Sequence, residues 1–126
     1  MKGSRIFGKR ILVADDEPLV REALRQLLGL DDHEVIEAAN GRQALEFFRQ
    51  GPGFDLVITD YTMPEMNGAD LALKIRQFAP NQPILMITAY SSELGAVPPG
   101  VDRVLRKPFN LEELREAIAE LLETEV

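Results

Sequence analysis

The chain has 126 residues, 45% of them apolar and 28% charged, which is the size of one domain with a real core and leaves no apolar run long enough to cross a bilayer. Fourteen Lys and Arg against 21 Asp and Glu give a net charge of -7, which repels a phosphate backbone and argues against direct binding of nucleic acid. There is no cysteine, so disulfides, thiolate metal sites and thiol nucleophiles are excluded together.

The first residues, MKGSRIFGKR, are basic but lack an apolar stretch and a small-residue cleavage site. Residues 1–9 therefore read as a short leader, with no membrane insertion and a cytoplasmic location expected, and residues 10–126 as the domain. Within it, short apolar runs alternate with segments of helical periodicity, the pattern of βαβ units around a parallel sheet. The strand candidates are Arg10–Ala14, Glu34–Ala38, Asp55–Thr59, Ile84–Ile87 and Arg103–Arg106, and three of them are nearly continuous apolar runs, as expected when both faces of a sheet are covered. The expected fold is α/β, a single doubly wound five-stranded parallel sheet. A first helix after Pro18 carries Val20, Ala23, Leu24, Leu27 and Leu28, and a last one carries Leu114, Ala117, Ile118, Leu121 and Leu122, each set forming one buried stripe. Asn110 followed by Glu113 reads as a capping box, and Pro52 between Gly51 and Gly53 as the stop of the second helix. With no repeat, low-complexity tract or linker in view, the last helix is expected to close the fold near Val126.

What ends each strand carries the chemistry. RILVA leads into Asp15 and Asp16, DLVIT into Asp60, ILMI into Thr88 and RVLR into Lys107. In an open parallel sheet, ligands bind beyond the carboxyl ends of the strands, so these five residues are expected to converge. Two carboxylates about 4 Å apart repel by about 4 kcal/mol at an effective dielectric near 20, and three repel more, so positive charge must sit among them. Hard oxygen donors without His or Cys suit magnesium, with manganese as the alternative, and Lys107 adds a second positive charge. Each residue also has a plain reading: Asp15-Asp16-Glu17-Pro18 as a helix start, Asp60 as a turn residue, Thr88 as a cap and Lys107 as a solvated charge. Their coincidence at one end of four strands favours the joint functional reading.

The segments ILVADDEP, DLVITDYTMPEMNG, ILMITAY and RKPF, in that order, resemble the receiver domain of two-component response regulators over nearly the whole chain, from Arg10 to about Glu123. The resemblance implies the flavodoxin-like strand order 2-1-3-4-5. It also implies that Asp60 accepts a phosphoryl group from the phosphohistidine of a sensor histidine kinase or phosphotransfer protein. Asp16, Asp60 and the backbone carbonyl of Thr62 would ligate magnesium, with Asp15 acting through water. Thr88 would read the phosphate, Lys107 would pair with it, and the Lys107–Pro108 bond would be cis. Thr62 and Tyr90 occupy positions that in the family flank the phosphate and tune its hydrolysis, with a turn threonine and a surface aromatic as their plain readings. Such a domain is a phosphoacceptor that assists its own phosphorylation and dephosphorylation rather than a turnover enzyme. Its outgoing signal would repack the face of the fourth helix, fifth strand and fifth helix.

Two features depart from that pattern. Val104 stands where many receivers place a Tyr or Phe that swings inward with the Thr, so a threonine-aromatic switch cannot operate here. The short stretch from Thr88 to Lys107 contains Pro98, Pro99 and Gly100, so the fourth helix must be brief or irregular. A shortened fourth helix resembles receivers attached to hybrid sensor kinases, while a stand-alone receiver and a homodimer stay open. Of the rival readings, a haloacid-dehalogenase-like phosphatase would place two Asp two positions apart after the first strand and carry a cap insertion. A phosphorylation-independent pseudo-receiver commonly lacks the acceptor or the acid pair. His33, between Asp32 and Glu34, reads as a solvated loop residue, Met63 and Met66 as local packing, and Gly68 as a residue that permits a tight helix start.

Overall fold

Alternate residues of a strand face opposite sides of its sheet, and the apolar strand residues here are divided accordingly between two cores. The computed structural model describes residues 5–51, 53–89 and 97–123. Its strands are β1 (Arg10–Ala14), β2 (Glu34–Ala38), β3 (Leu56–Asp60), β4 (Ile84–Thr88) and β5 (Arg103–Arg106), and its helices are α1 (Pro18–Gly29), α2 (Gly41–Gln50), α3 (Gly68–Phe78) and α4 (Leu111–Leu122). All pairings are parallel and the order is β2-β1-β3-β4-β5, the doubly wound, flavodoxin-like order that the resemblance implies. Leu12, Ala14, Val57 and Met86 face one side and pack with Leu71, Ala72 and Ile75 of α3 and Ala44 and Leu45 of α2. Ile11, Val13, Ile58 and Leu85 face the other, with Leu24 and Leu28 of α1 and Leu114, Ala117 and Ile118 of α4.

The bounds of β1, β2 and β5 are those expected, whereas β3 and β4 each run one residue further at the carboxyl end. Asp60 and Thr88 are thus ladder residues, registered with Ile87 and Arg106, and not the first residues of loops. Asp55 stands before β3 because its carboxylate accepts from the Arg10 amide at 2.8 Å. On α1, Leu24 and Leu28 are buried and Val20 and Leu27 half-buried, but Ala23 is exposed, so the stripe is narrower than expected. The capping box of α4 is complete, with Asn110 Oδ1 accepting from the Glu113 amide at 2.8 Å and Glu113 Oε1 from the Asn110 amide at 2.9 Å. Helix α2 ends at Gln50 with Gly51 as its cap, and Pro52 lies outside the described residues. Residues 97–102 contain no helix. Residues 90–96, within the stretch where a brief or irregular fourth helix is expected, lie outside the described residues.

His33 is not solvated. It is 8% exposed, and its Nδ1 accepts from the Lys9 amide at 2.9 Å. The segment before β1 runs across it, with Ile6 packed on the α1–α4 core, so burial lowers the pKa of the imidazole against the pull of Asp31 and Asp32. No local pattern announces this, because the partner lies 24 residues away.

Beside His33, Asp31 is 4% exposed. Its carboxylate accepts from Arg115 Nε at 2.9 Å, Arg115 Nη2 at 3.0 Å and Arg5 Nη2 at 2.8 Å, which ties α4 and the segment before β1 to the turn after α1. Burial alone would push this carboxyl up, but the hydrogen bonds from Arg115 and Arg5 outweigh it and hold the group below its ordinary value of 3.8. A carboxylate with a depressed folded-state pKa adds stability that is complete above the unfolded value and is lost as pH falls through the folded one. Asp31→Asn is therefore expected to cost about 2 kcal/mol near neutral pH, the range for hydrogen bonds to a charged group. In urea titrations the gap between the two proteins should hold from pH 7 to pH 5 and narrow below about pH 4; a gap unchanged at pH 3 would refute this.

Candidate functional site

The register of the sheet explains how residues far apart in sequence meet. Ala14 pairs with Thr59, so Asp15 and Asp60, the next residues, lie side by side at the carboxyl end of β1 and β3. Thr88 pairs with Arg106, which sets Lys107 one residue beyond β5 at the same end. The chain turns there on three bonds to Asp15: its amide donates to the Ala38 carbonyl at 3.0 Å, its Oδ1 accepts from the Glu17 amide at 2.9 Å, and its carbonyl accepts from Arg21 Nη1 at 2.7 Å. Pro18 then opens α1, where its missing amide hydrogen costs nothing.

One carboxylate oxygen from each of Asp15, Asp16 and Asp60 falls within 4.8 Å of the others. Asp15 is 2% and Asp60 9% exposed, while Asp16 is open to solvent. Lys107 Nζ approaches Asp60 Oδ1 at 3.3 Å, and the Lys107–Pro108 bond is cis. Asp16, Asp60 and Lys107 border an open cleft of about 200 Å³, lined also by Glu17, Thr62 and Ala89.

Of the residues singled out in the sequence, the structure brings together Asp15, Asp16, Asp60 and Lys107, with Thr62 on the cleft wall. Thr88 is 1% exposed and its carbonyl accepts from the Lys107 amide at 3.0 Å; its neighbour Ala89, and not Thr88, lines the cleft. Tyr90 lies outside the described residues. Met63 is buried and Met66 packs on the same core, in keeping with local packing. Val104 is half-buried, registered with Met86 and packed on the α2–α3 core.

Sequence reasoning passed over Glu17, which lines the cleft with Asp16 and Asp60 and whose signal was its place beside the acid pair. It also understated Gly68. The amide of Gly68 donates to the Tyr61 carbonyl at 2.8 Å, and a Cβ there would collide with the Asp60 carbonyl oxygen. Only glycine lets α3 start this close to the strand that carries Asp60.

Burial pushes the Asp15 carboxyl up to about 6; the Glu17 amide opposes this, and neighbouring Asp60 adds to it. Burial likewise raises the Asp60 carboxyl, against Lys107. Among the described residues, one ammonium thus faces three clustered carboxylates and Glu17. A hard divalent cation fits this set, because every donor is an oxygen and the site is short of positive charge.

A sequence model of the response regulator receiver domain matches residues 11–119. The chain is 39% identical over 107 residues to the DNA-binding transcriptional regulator NtrC of Bradyrhizobium sp., a match covering 82% of this chain and 22% of that protein. It is 35% identical over 116 residues to the chemotaxis protein CheY of Thermotoga maritima, covering 89% of this chain and 96% of that one. It spans 22%, 26% and 50% of the first three curated relatives it matches. Among solved structures, the response regulator protein TrrA of Thermotoga maritima in complex with Mg(2+)-BeF superposes with a TM-score of 0.83 at 40% identity, over 90% of this chain and 99% of that one. TrrA in complex with the histidine kinase ThkA superposes with a TM-score of 0.82 at 40% identity, over 91% of this chain and 99% of that one.

Proposed function

The chain belongs to the response regulator receiver domain family, and from that premise we propose that Asp60 is the residue that takes up the phosphoryl group, from the phosphohistidine of a sensor histidine kinase or phosphotransfer protein. The observation that carries this is the joint placement of Lys107 Nζ 3.3 Å from Asp60 Oδ1 and of the Asp15, Asp16 and Asp60 oxygens within 4.8 Å of one another. A kinase partner is supported by the complex of TrrA with a histidine kinase.

Phosphoryl transfer asks for positioning and charge neutralisation more than for acid-base groups. A carboxylate oxygen of Asp60 attacks phosphorus in line; a new O–P bond forms, the P–N bond of the donor breaks, and its electron pair returns to the imidazole nitrogen. Lys107 steadies the carboxylate before the step and the phosphoryl oxygens during it. Asp15, Asp16 and Asp60, with the carbonyl of Thr62, would hold magnesium, which supplies charge to neutralise the phosphoryl oxygens; manganese suits the same donors. Thr88 senses the phosphoryl group, whose charge of roughly -1.5 to -2 can draw in a neighbouring hydroxyl, and Thr62 and Tyr90 tune its hydrolysis. The domain is a phosphoacceptor and not a turnover enzyme. It works in the cytoplasm, where the ATP that feeds a histidine kinase is found; among the described residues no helix is long and apolar enough to cross a membrane.

The dependence on the cation is open to a direct test. Incubated with MgCl2 and a small phosphodonor such as acetyl phosphate, the protein is expected to gain the mass of one phosphoryl group in a bond that hydroxylamine cleaves, as it does acyl phosphates. With excess chelator the gain should fall at least tenfold; equal gain in both would overturn the reading.

A further inference from the structure

We infer that Arg21 is a positioning residue for the acid pair: its guanidinium, aligned by Glu37, pins the peptide unit between Asp15 and Asp16 and so holds the Asp16 carboxylate where a divalent cation needs it. This rests on the reading of the cleft as a magnesium-dependent phosphoacceptor site.

Arg21 lies in the first turn of α1 with its side chain 16% exposed. Its Nη1 donates to the Asp15 carbonyl at 2.7 Å and its Nε to Glu37 Oε1 at 3.1 Å. The other oxygen of Glu37, near the end of β2, is 3.0 Å from Arg25 Nε, so this carboxylate is itself held from α1. The Asp15 carbonyl and the Asp16 amide belong to one planar unit; a bond at the first fixes the direction in which Asp16 leaves. Asp15 needs no such help, being buried and tied through its own amide and carboxylate. Asp16 is exposed, and a flexible backbone beneath an exposed ligand would charge each cation with the entropy of ordering it. A planar fork suits the task better than an ammonium, since it can serve the carbonyl and Glu37 at once.

The expected sign is opposite to that of simple electrostatics. Arg21 is a positive charge beside an acidic cluster, so by Coulomb's law its removal should tighten cation binding, whereas loss of the pinned peptide should weaken it. Arg25, one turn further along α1, is the charge control: it shares Glu37 but is not a partner of the Asp15 carbonyl.

MgCl2 titrated calorimetrically into the metal-free chain, below the melting midpoint of each variant, reads this out. Arg21→Ala is expected to weaken magnesium about tenfold, the lower end of the effect of supporting groups behind metal ligands. Arg25→Ala should bind as wild type or more tightly, and Arg21→Lys should fall between wild type and Arg21→Ala. Phosphoryl uptake by Arg21→Ala should recover at saturating MgCl2, since Asp60 and Lys107 are untouched. Wild-type or tighter binding by Arg21→Ala would overturn the inference; if that variant does not fold, wild-type binding by Arg21→Lys would do so. A wild-type chain that binds magnesium but takes up no phosphoryl group would instead overturn the reading beneath it.

Discussion

Asp60→Asn is expected to abolish phosphoryl uptake while leaving the fold intact. The amide oxygen that replaces the carboxylate has no free electron pair of comparable nucleophilicity, and among the described residues no other carboxylate combines the same burial with the same lysine. Asp15 is buried but spends Oδ1 on the Glu17 amide, and Asp16 is exposed. The expected fall in uptake is at least on the order of 10³-fold, as when the attacking group of a catalytic set is removed. The stability of the variant separates this loss from misfolding. Burial raises the Asp60 carboxyl, which means that the charged form is disfavoured in the folded state. A carboxyl with a raised folded-state pKa opposes folding once it is ionised above that pKa. In metal-free buffer at neutral pH, Asp60→Asn should therefore melt at or above the wild-type temperature in a circular dichroism scan. A variant that melts far below wild type would show that the side chain serves the fold instead.

Lys107→Ala carries the second largest expected effect. Its ammonium lies 3.3 Å from Asp60 Oδ1 with 30% of the side chain exposed, so the pair contributes little to stability, at most about 1 kcal/mol. Its value lies in the transferring group, where charge develops beside a fixed donor. Removal of one such donor costs about 10²–10³ in rate in enzymes that stabilise an oxyanion, and the partial exposure here argues for the lower figure. Initial rates of uptake from acetyl phosphate, followed by intact mass, should fall about 10²-fold with the melting temperature nearly unchanged. Lys107→Arg should recover only part of the rate, because a planar fork cannot take the place of a compact ammonium. A rate within twofold of wild type for Lys107→Ala would mean that the ammonium is a bystander.

Short runs of strand type made β1, β2 and β5 readable to the residue, because the residue patterning of a strand is local. β3 and β4 were read one residue short, since a polar residue at a strand end looks like the start of a loop until its partner strand is known; Asp60 needed Ile87, and Thr88 needed Arg106. The acid pair, Asp60 and Lys107 could be singled out because each stands at the end of its own strand. The strand order that makes them neighbours came from resemblance and not from periodicity. His33, Asp31 and the residues before β1 were illegible for a different reason: they interact across 24 to 84 positions, and nothing in a single segment marks either partner. Arg21 and Glu37 fall in the same class, as two ordinary charges on neighbouring elements until Arg21 is seen to bridge Glu37 and the Asp15 carbonyl.

Past the site, Val104 packs half-buried on the α2–α3 core, and valine offers no aromatic ring at that position to relay a signal. The incoming half of the signal is the part that the geometry supports most fully, and it turns on one side chain. Reduction of the phosphorylated wild-type protein with borohydride converts an aspartyl phosphate to homoserine, which peptide mass mapping locates. Homoserine is expected at position 60 alone; homoserine at Asp15, Asp16 or any other aspartate, with Asp60 unmodified, would contradict the assignment of Asp60 as the acceptor.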